Sequence, residues 1–211
     1  MFDDTIDEGR MSLSEGDPVY RQQAFDNVVK ALDFDRMLPD RVYFGTWSDF
    51  LFFQSDHVFA SDFPEIVREL LSVERAHTAC LLNLDKTERF EFDYIAAIFL
   101  GEMISGVAYD DKLRDGGPAS GWLYRVDRYA CTSDVGEWCI YCEKSNDVAV
   151  IGLRGIDGIG RFEKPLKRLW AKPIDELIDG GCYPVFPFDQ LVPAWRQGLV
   201  KNYGRQRDMA G

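Results

Sequence analysis

Val19, Ala24, Phe25, Val28, Val29 and Leu32 recur at roughly the spacing of one helix face. Asp17 and Pro18 stand directly before them as an N-cap and a first-turn proline, so the pattern predicts an amphipathic helix that opens the folded part of the chain. A second helix start, Ser61-Asp62 before Phe63-Pro64-Glu65, is continued by Ile66, Val67, Leu70 and Leu71, and the apolar run at residues 78–84 follows as a buried strand. Between these two helices the signals mix. Val42, Tyr43 and Phe44 favour a strand, whereas Thr46, Ser48 and Asp49 before Phe50 and Leu51 resemble a helix cap, and the prediction is a strand followed by a short helix. Asp93 opens a further apolar segment, predicted helical to about Ile104 and closed by Gly106.

Residues 109–121 collect charges, adjacent glycines and a proline, the composition of an exposed loop. After them the period changes. Residues 122–131, 137–143 and 147–153 are short β-prone runs separated by polar turns, which predicts an antiparallel meander. Residues 162–170, 173–178 and 188–200 then read as helices, with Pro165, Pro173 and Pro193 at starts or bends. The fold class expected from this order is α+β, a single domain over residues 17–211 built as an antiparallel sheet with helices packed on it. Residues 1–16 lack periodicity and are expected to form an acidic tail.

Composition narrows the function classes. A length of 211 residues with 46% hydrophobic content supports one substantial core. Apolar runs are too short to span a bilayer, the acidic start lacks the pattern of a signal peptide, and a soluble cytoplasmic protein is expected. Cysteines at 80, 131, 139, 142 and 182 are odd in number and fit free thiols in a reducing compartment. The formal charge of −12 is uneven: residues 1–120 carry 24 acidic and 11 basic side chains, and residues 121–211 carry 12 and 13. That distribution argues against binding to nucleic acid or anionic membranes and favours a basic partner, although acidity also serves solubility alone.

Three patterns invite chemistry. Cys139 and Cys142 are separated by three residues, which on a strand points them to opposite faces and prevents joint metal binding. Trp138, Ile140 and Cys142 are expected on one face of a half-buried strand, with Glu137, Cys139, Tyr141 and Glu143 on the other. Zinc would need further ligands that two histidines and single cysteines do not supply, so neither metal nor cofactor is expected. The glycine-rich segment from Gly152 to Gly160 follows a strand, as phosphate loops do, but lacks the spacing of either common motif. With Arg154, Arg161, Lys164, Lys167 and Arg168 nearby it leaves one alternative, action on a phosphorylated substrate. His57 and His77 read as surface or packing residues, and no nucleophile and base pair from the sequence, so a non-enzyme is expected.

In size, acidity and the hairpin WCIYCE to DVAVI, the chain resembles bacterial immunity proteins of polymorphic toxin systems. The resemblance implies neutralisation of a cognate toxin domain by direct binding. Residues singled out as contacts to a basic partner are Asp49, Asp56, Asp110, Asp111 and Asp115, in or beside expected loops, with Trp47 or Tyr109 as an aromatic anchor. A nucleic-acid mimic would use the same acidity differently.

Overall fold

The first helix forms where its cap signal stands: the Asp17 carboxylate accepts a hydrogen bond from the Val19 N–H at 2.9 Å, and Pro18 occupies the first turn. The structure is a computed structural model that describes residues 17–85, 97–101, 104–179 and 186–205. The expected tail at residues 1–16 and Cys182 lie outside the described residues. In chain order the elements are α1 (Pro18–Ala31), β1 (Asp49–Gln54), α2 (Asp56–Phe59), α3 (Phe63–Glu74), β2 (Thr78–Asn83), β3 (Ala97–Gly101), α4 (Gly106–Arg114), α5 (Gly117–Ser120) and α6 (Trp122–Arg125). They continue with β4 (Arg128–Ser133), β5 (Trp138–Glu143), β6 (Val148–Leu153), α7 (Gly158–Arg161), α8 (Glu163–Arg168), α9 (Ile174–Asp179) and α10 (Pro193–Tyr203).

The fold is α+β. Six strands form one sheet in the order β1-β6-β5-β4-β2-β3, with every neighbouring pair antiparallel. The expected meander is its centre, β4-β5-β6, and Trp138 pairs with Leu153 while Thr132 pairs with Cys139. Alternation along β5 separates two cores: Trp138, Ile140 and Cys142 belong to one, Cys139 and Tyr141 to the other. The first core is closed by α3, α4 and α8 through residues such as Ile66, Leu70, Tyr109 and Leu166. The second is closed by α1 and α10 with the segments around Tyr43 and Phe188. Both faces of the sheet are therefore covered, and β5 is buried at every position rather than half-buried as its sequence suggested. The alternating pattern fitted a one-sided sheet because Tyr141 and Glu143 are amphipathic or charged, yet each finds a partner inside.

Several segments differ from the sequence-based expectation for a common reason, that strand pairing overrides a local signal. Residues 49–54 form β1, not a short helix: Leu51 and Phe53 enter one core and Phe52 the other, and all six residues pair with β6. Tyr43 makes only an isolated bridge to Leu32. The described part of the segment expected to be helical after Asp93 is β3, whose Ile98 and Leu100 are buried while the alternate residues are not. Residues 109–114 of the expected loop belong to α4, with Tyr109 and Leu113 inward, and residues 122–125 are a helical turn before β4 begins.

One glycine shapes the second core. A Cβ on Gly152 would stand 2.9 Å from Trp47 Cε3 and 3.0 Å from Tyr43 Cε1, so the bare backbone of β6 lets both rings lie on the sheet. There the Tyr43 hydroxyl sits 3.0 Å from the Cys139 carbonyl and 2.8 Å from that of Val150, tying the loop to β5 and β6.

Candidate functional site

Antiparallel register gives the sheet two distinct ends. At the first end lie Asp49, Leu153, Trp138, Ser133, Thr78 and Gly101; at the second lie Gln54, Val148, Glu143, Arg128, Asn83 and Ala97. The residues expected to meet a basic partner divide between them. Asp49 opens β1 at the first end and is half-buried, whereas Asp56 is exposed just beyond the second. Asp110, Asp111 and Asp115 lie on or just after α4, not in a loop. That helix leans toward the second end, because the Tyr109 hydroxyl donates to the Val58 carbonyl at 2.6 Å and Arg114, which pairs with Asp110 at 2.9 Å, reaches the Tyr124 hydroxyl on α6. Asp111 and Asp115 are exposed. Tyr109 and Trp47 are both buried; the Trp47 indole donates to the Phe44 carbonyl and carries Arg154 over its face at 4.3 Å. Both are core aromatics in the free protein, and neither presents an anchor.

The second end is acid-rich in three dimensions. Asp56, Asp85, Asp127 and Asp147 come from four different connections, and Arg128 brings the Asp33–Asp35 loop beside them through its bond to the Phe34 carbonyl at 3.2 Å. Some of these carboxylates build the turns: Asp85 accepts from the Asp127 and Arg128 N–H groups, and Asp127 accepts from the Ser145 N–H at 2.6 Å. Asp35 and Asp56 remain exposed.

An aromatic that composition did not single out stands at the same end. α8 runs antiparallel to α3, since Lys164 meets Glu69 while Arg168 meets Asp62 at the start of α3. Its C-terminus therefore points to the second end, and there Trp170 occupies a left-handed conformation with φ 55°. Trp170 is 74% exposed, and among the described residues it has no ring contact or side-chain hydrogen bond. Glycine is the usual residue at this position after a helix, because a Cβ there costs about 1 kcal/mol. Two residues later the Lys172 backbone closes the outer edge of β1 by exchanging hydrogen bonds with Phe52 at 2.7 and 3.0 Å. A helix stop preceding Pro173 was the only sequence signal for Trp170.

The first end holds a different cluster. Glu74, the last residue of α3, turns inward; its carboxylate accepts from the Trp138 indole at 2.7 Å and the Glu137 N–H at 3.1 Å, with the Ser133 hydroxyl as a further donor. Burial outweighs these donors and pushes the carboxyl up to about 7. Beside it, buried Asp134 accepts from the N–H groups of His77 and Thr78, both at 2.9 Å, and faces His77 Nδ1 at 3.3 Å. Tyr20 stacks on the imidazole at 3.8 Å. This arrangement positions a histidine, while Ser133 is fully buried and its oxygen accepts from the Val135 and Gly136 N–H groups.

The cysteine pair and the glycine-rich segment resolve into packing. Cys139 and Cys142 sit in opposite cores, and burial raises both thiols well above their ordinary value, the condition of inert rather than reactive cysteines. Among the described residues no group of three or more His, Cys, Asp or Glu is placed to hold a metal ion. Because both thiols are fully buried among apolar side chains, Cys139→Ser and Cys142→Ser are each expected to cost about 1–2 kcal/mol in chemical denaturation, and stoichiometric zinc in the purified protein would contradict the packing role. In the glycine-rich segment, Gly152 belongs to β6 and a side chain on Gly160 would collide with the Asp157 carboxylate, so the loop folds around its own acid. The cations near it are engaged: Arg161 pairs with Glu137 at 2.5 Å, Lys167 with Glu163 at 2.6 Å, and Arg154 with the Trp47 ring.

No helix among the described residues is long and apolar enough to cross a membrane. No family model matches the chain, and neither the curated proteins nor the solved structures contain a significant match to it.

Proposed function

We propose that the protein is a non-catalytic binding module that docks a basic protein partner on the acid-rich end of its sheet, in the manner of an immunity protein neutralising a cognate toxin domain. The observation that carries this reading is Trp170, a large aromatic held both exposed and in a backbone conformation that disfavours it. Neither feature stabilises the free chain. Exposed tryptophan is the residue type most enriched at the centre of protein interfaces, where its burial supplies the energy that surrounding charges do not. Asp56 lies just beyond the end of β1 at which Trp170 stands, and Asp111 and Asp115 are exposed on α4, whose Tyr109 hydroxyl donates to the Val58 carbonyl at that end. Asp115 stands at the C-terminus of α4, the negative end of the helix dipole, where a carboxylate does not stabilise the helix.

Charge and anchor act on different rate constants, which makes the reading testable on a partner captured from the native host and identified. Complementary charge accelerates encounter, so the association rate should fall as salt rises. Asp56→Asn, Asp111→Asn and Asp115→Asn together should slow association several-fold at low salt and flatten its salt dependence. Trp170→Gly should leave association nearly unchanged and speed dissociation about 30-fold, the consequence of losing about 2 kcal/mol of anchor. A partner whose association ignores both the triple substitution and ionic strength, and whose dissociation ignores Trp170→Gly, would refute the docking surface.

A further inference from the structure

The turn between β4 and β5, at the first end of the sheet, is held from outside by α1, by α3 and by the residues that open β2. From α1, the Asn27 amide donates to the Ser133 carbonyl at 3.0 Å and to the Asp134 carbonyl at 2.9 Å. Gly136 lets the turn lie against that amide, since a Cβ there would stand 3.0 Å from its nitrogen. From the start of β2, the N–H groups of His77 and Thr78 reach the Asp134 carboxylate, and the His77 ring faces the same group with Tyr20 stacked on it. From α3, the two carboxylate oxygens of Glu74 divide between the Trp138 indole and the Glu137 N–H.

These holds differ in how they respond to protons. Asn27 does not titrate, and Asp134 is matched by two N–H groups and an imidazole. Glu74 holds the turn with a carboxyl group that is unfavourably placed for charge. It is 9% exposed, it is the last residue of α3, where the helix dipole is negative, and its donors are an indole, an amide and the Ser133 hydroxyl, all uncharged. The charge acting on it is the Glu137 carboxylate, which repels it and is itself held by Arg161 of α7 at 2.5 Å. A protonated Glu74 fits this place better than an ionised one and still offers an oxygen to the indole.

We infer that Glu74 is the catch of a proton-operated clasp: protonated, it keeps the β4–β5 turn closed on the end of α3, and ionised, it lets the turn detach and takes up water. The sign follows from linkage. The closed state raises the carboxyl to about 7, the open state returns it to the ordinary range, and opening is therefore least at acid pH and rises until the pH passes that value. Opening is local, because Asn27 and His77 grip Ser133 and Asp134 from the other side of the turn. The clasp lies at the end of the sheet opposite Trp170 and does not depend on the partner proposed for that surface.

Native-state hydrogen exchange of the full chain between pH 5 and 8 tests the clasp, with each rate divided by the intrinsic rate at that pH. The opening constant at the Glu137 amide and the Trp138 indole should rise about 50-fold over this range. At every pH it should exceed that of the Ile140 and Ile151 amides at the centre of the sheet by about tenfold or more. Glu74→Gln should abolish the rise, and His77→Gln should keep it. The Glu74 carboxyl carbon, followed by NMR in the native chain, should titrate near 7 and checks the clasp without any variant. Equal opening constants at the turn and the sheet centre would show that the turn opens only with the whole fold and would overturn the inference. So would a rise that survives Glu74→Gln or vanishes in His77→Gln, or a Glu74 carboxyl that titrates in the ordinary range.

Discussion

Glu143→Ala should lower the stability of the protein by about 3 kcal/mol, whereas Glu143→Gln should cost about 1. Glu143 is fully buried at the end of β5, and its carboxylate accepts from the Leu38 N–H at 2.6 Å, the Tyr141 hydroxyl at 2.9 Å and the Asn146 amide at 2.8 Å. Burial raises its pKa, opposed by those same donors. Removing the side chain strands a buried backbone N–H and a buried phenol, each of which then carries its full desolvation penalty. Glutamine retains the oxygen that both use and loses only the second oxygen facing Asn146. Urea denaturation of the two variants at one pH separates the cases, and equal losses would show that the carboxylate acts by filling space rather than by satisfying donors.

A second large effect is a stability that falls as the pH rises through neutrality. Glu74 has a folded-state pKa of about 7, above the ordinary carboxyl value that it recovers on unfolding. Between those two values the folded chain binds more protons than the unfolded one. Its contribution is therefore fully present at acid pH and is lost progressively as the pH approaches and passes 7. The loss amounts to about 2–3 kcal/mol between pH 4.5 and 8. Raised in the same direction by burial, Glu143 adds to the slope. Glu74→Gln keeps an oxygen for the Trp138 indole and removes the titration, so its denaturation free energy should change less between pH 5 and 8 than that of the native chain. Identical slopes in the two proteins would exclude Glu74 as the source. The groups that face Glu74 are the Ser133 hydroxyl, the Trp138 indole, the Glu137 N–H and the Glu137 carboxylate; only the last carries charge, and it acts in the same direction as burial.

Part of the candidate surface was legible before the fold was known. The acidic bias singled out Asp56, Asp111 and Asp115, which the structure leaves exposed. The same reasoning grouped Asp49 with Asp56, although β1 carries them to opposite ends of the sheet. It also offered Trp47 and Tyr109 as anchors because an aromatic beside charges looks the same in sequence whether it is buried or exposed. Tyr109 goes inward on α4 to reach the Val58 carbonyl, and Trp47 fits the space left by Gly152, a contact between residues 105 positions apart. Trp170 owes its interest to a backbone angle, which no composition records.

The sequence by itself determined the elements whose signals are local. Asp17-Pro18 starts α1, Phe63-Pro64 starts α3, and the turns around residues 134–137 and 144–147 set the β4-β5-β6 meander, because caps, prolines and alternation act within a few residues. Alternation also placed Cys139 and Cys142 on opposite faces, which follows from strand geometry alone. Only the tertiary structure decided that residues 49–54 and 97–101 are strands, since short apolar runs satisfy either period and the pairing partners lie far along the chain. It likewise decided that both faces of the sheet are buried and that Glu74 and Glu143 enter the interior with partners supplied by other elements. Each of these depends on which distant residues the antiparallel register brings together, and register is set by the cooperative burial of whole faces rather than by any one residue's preference.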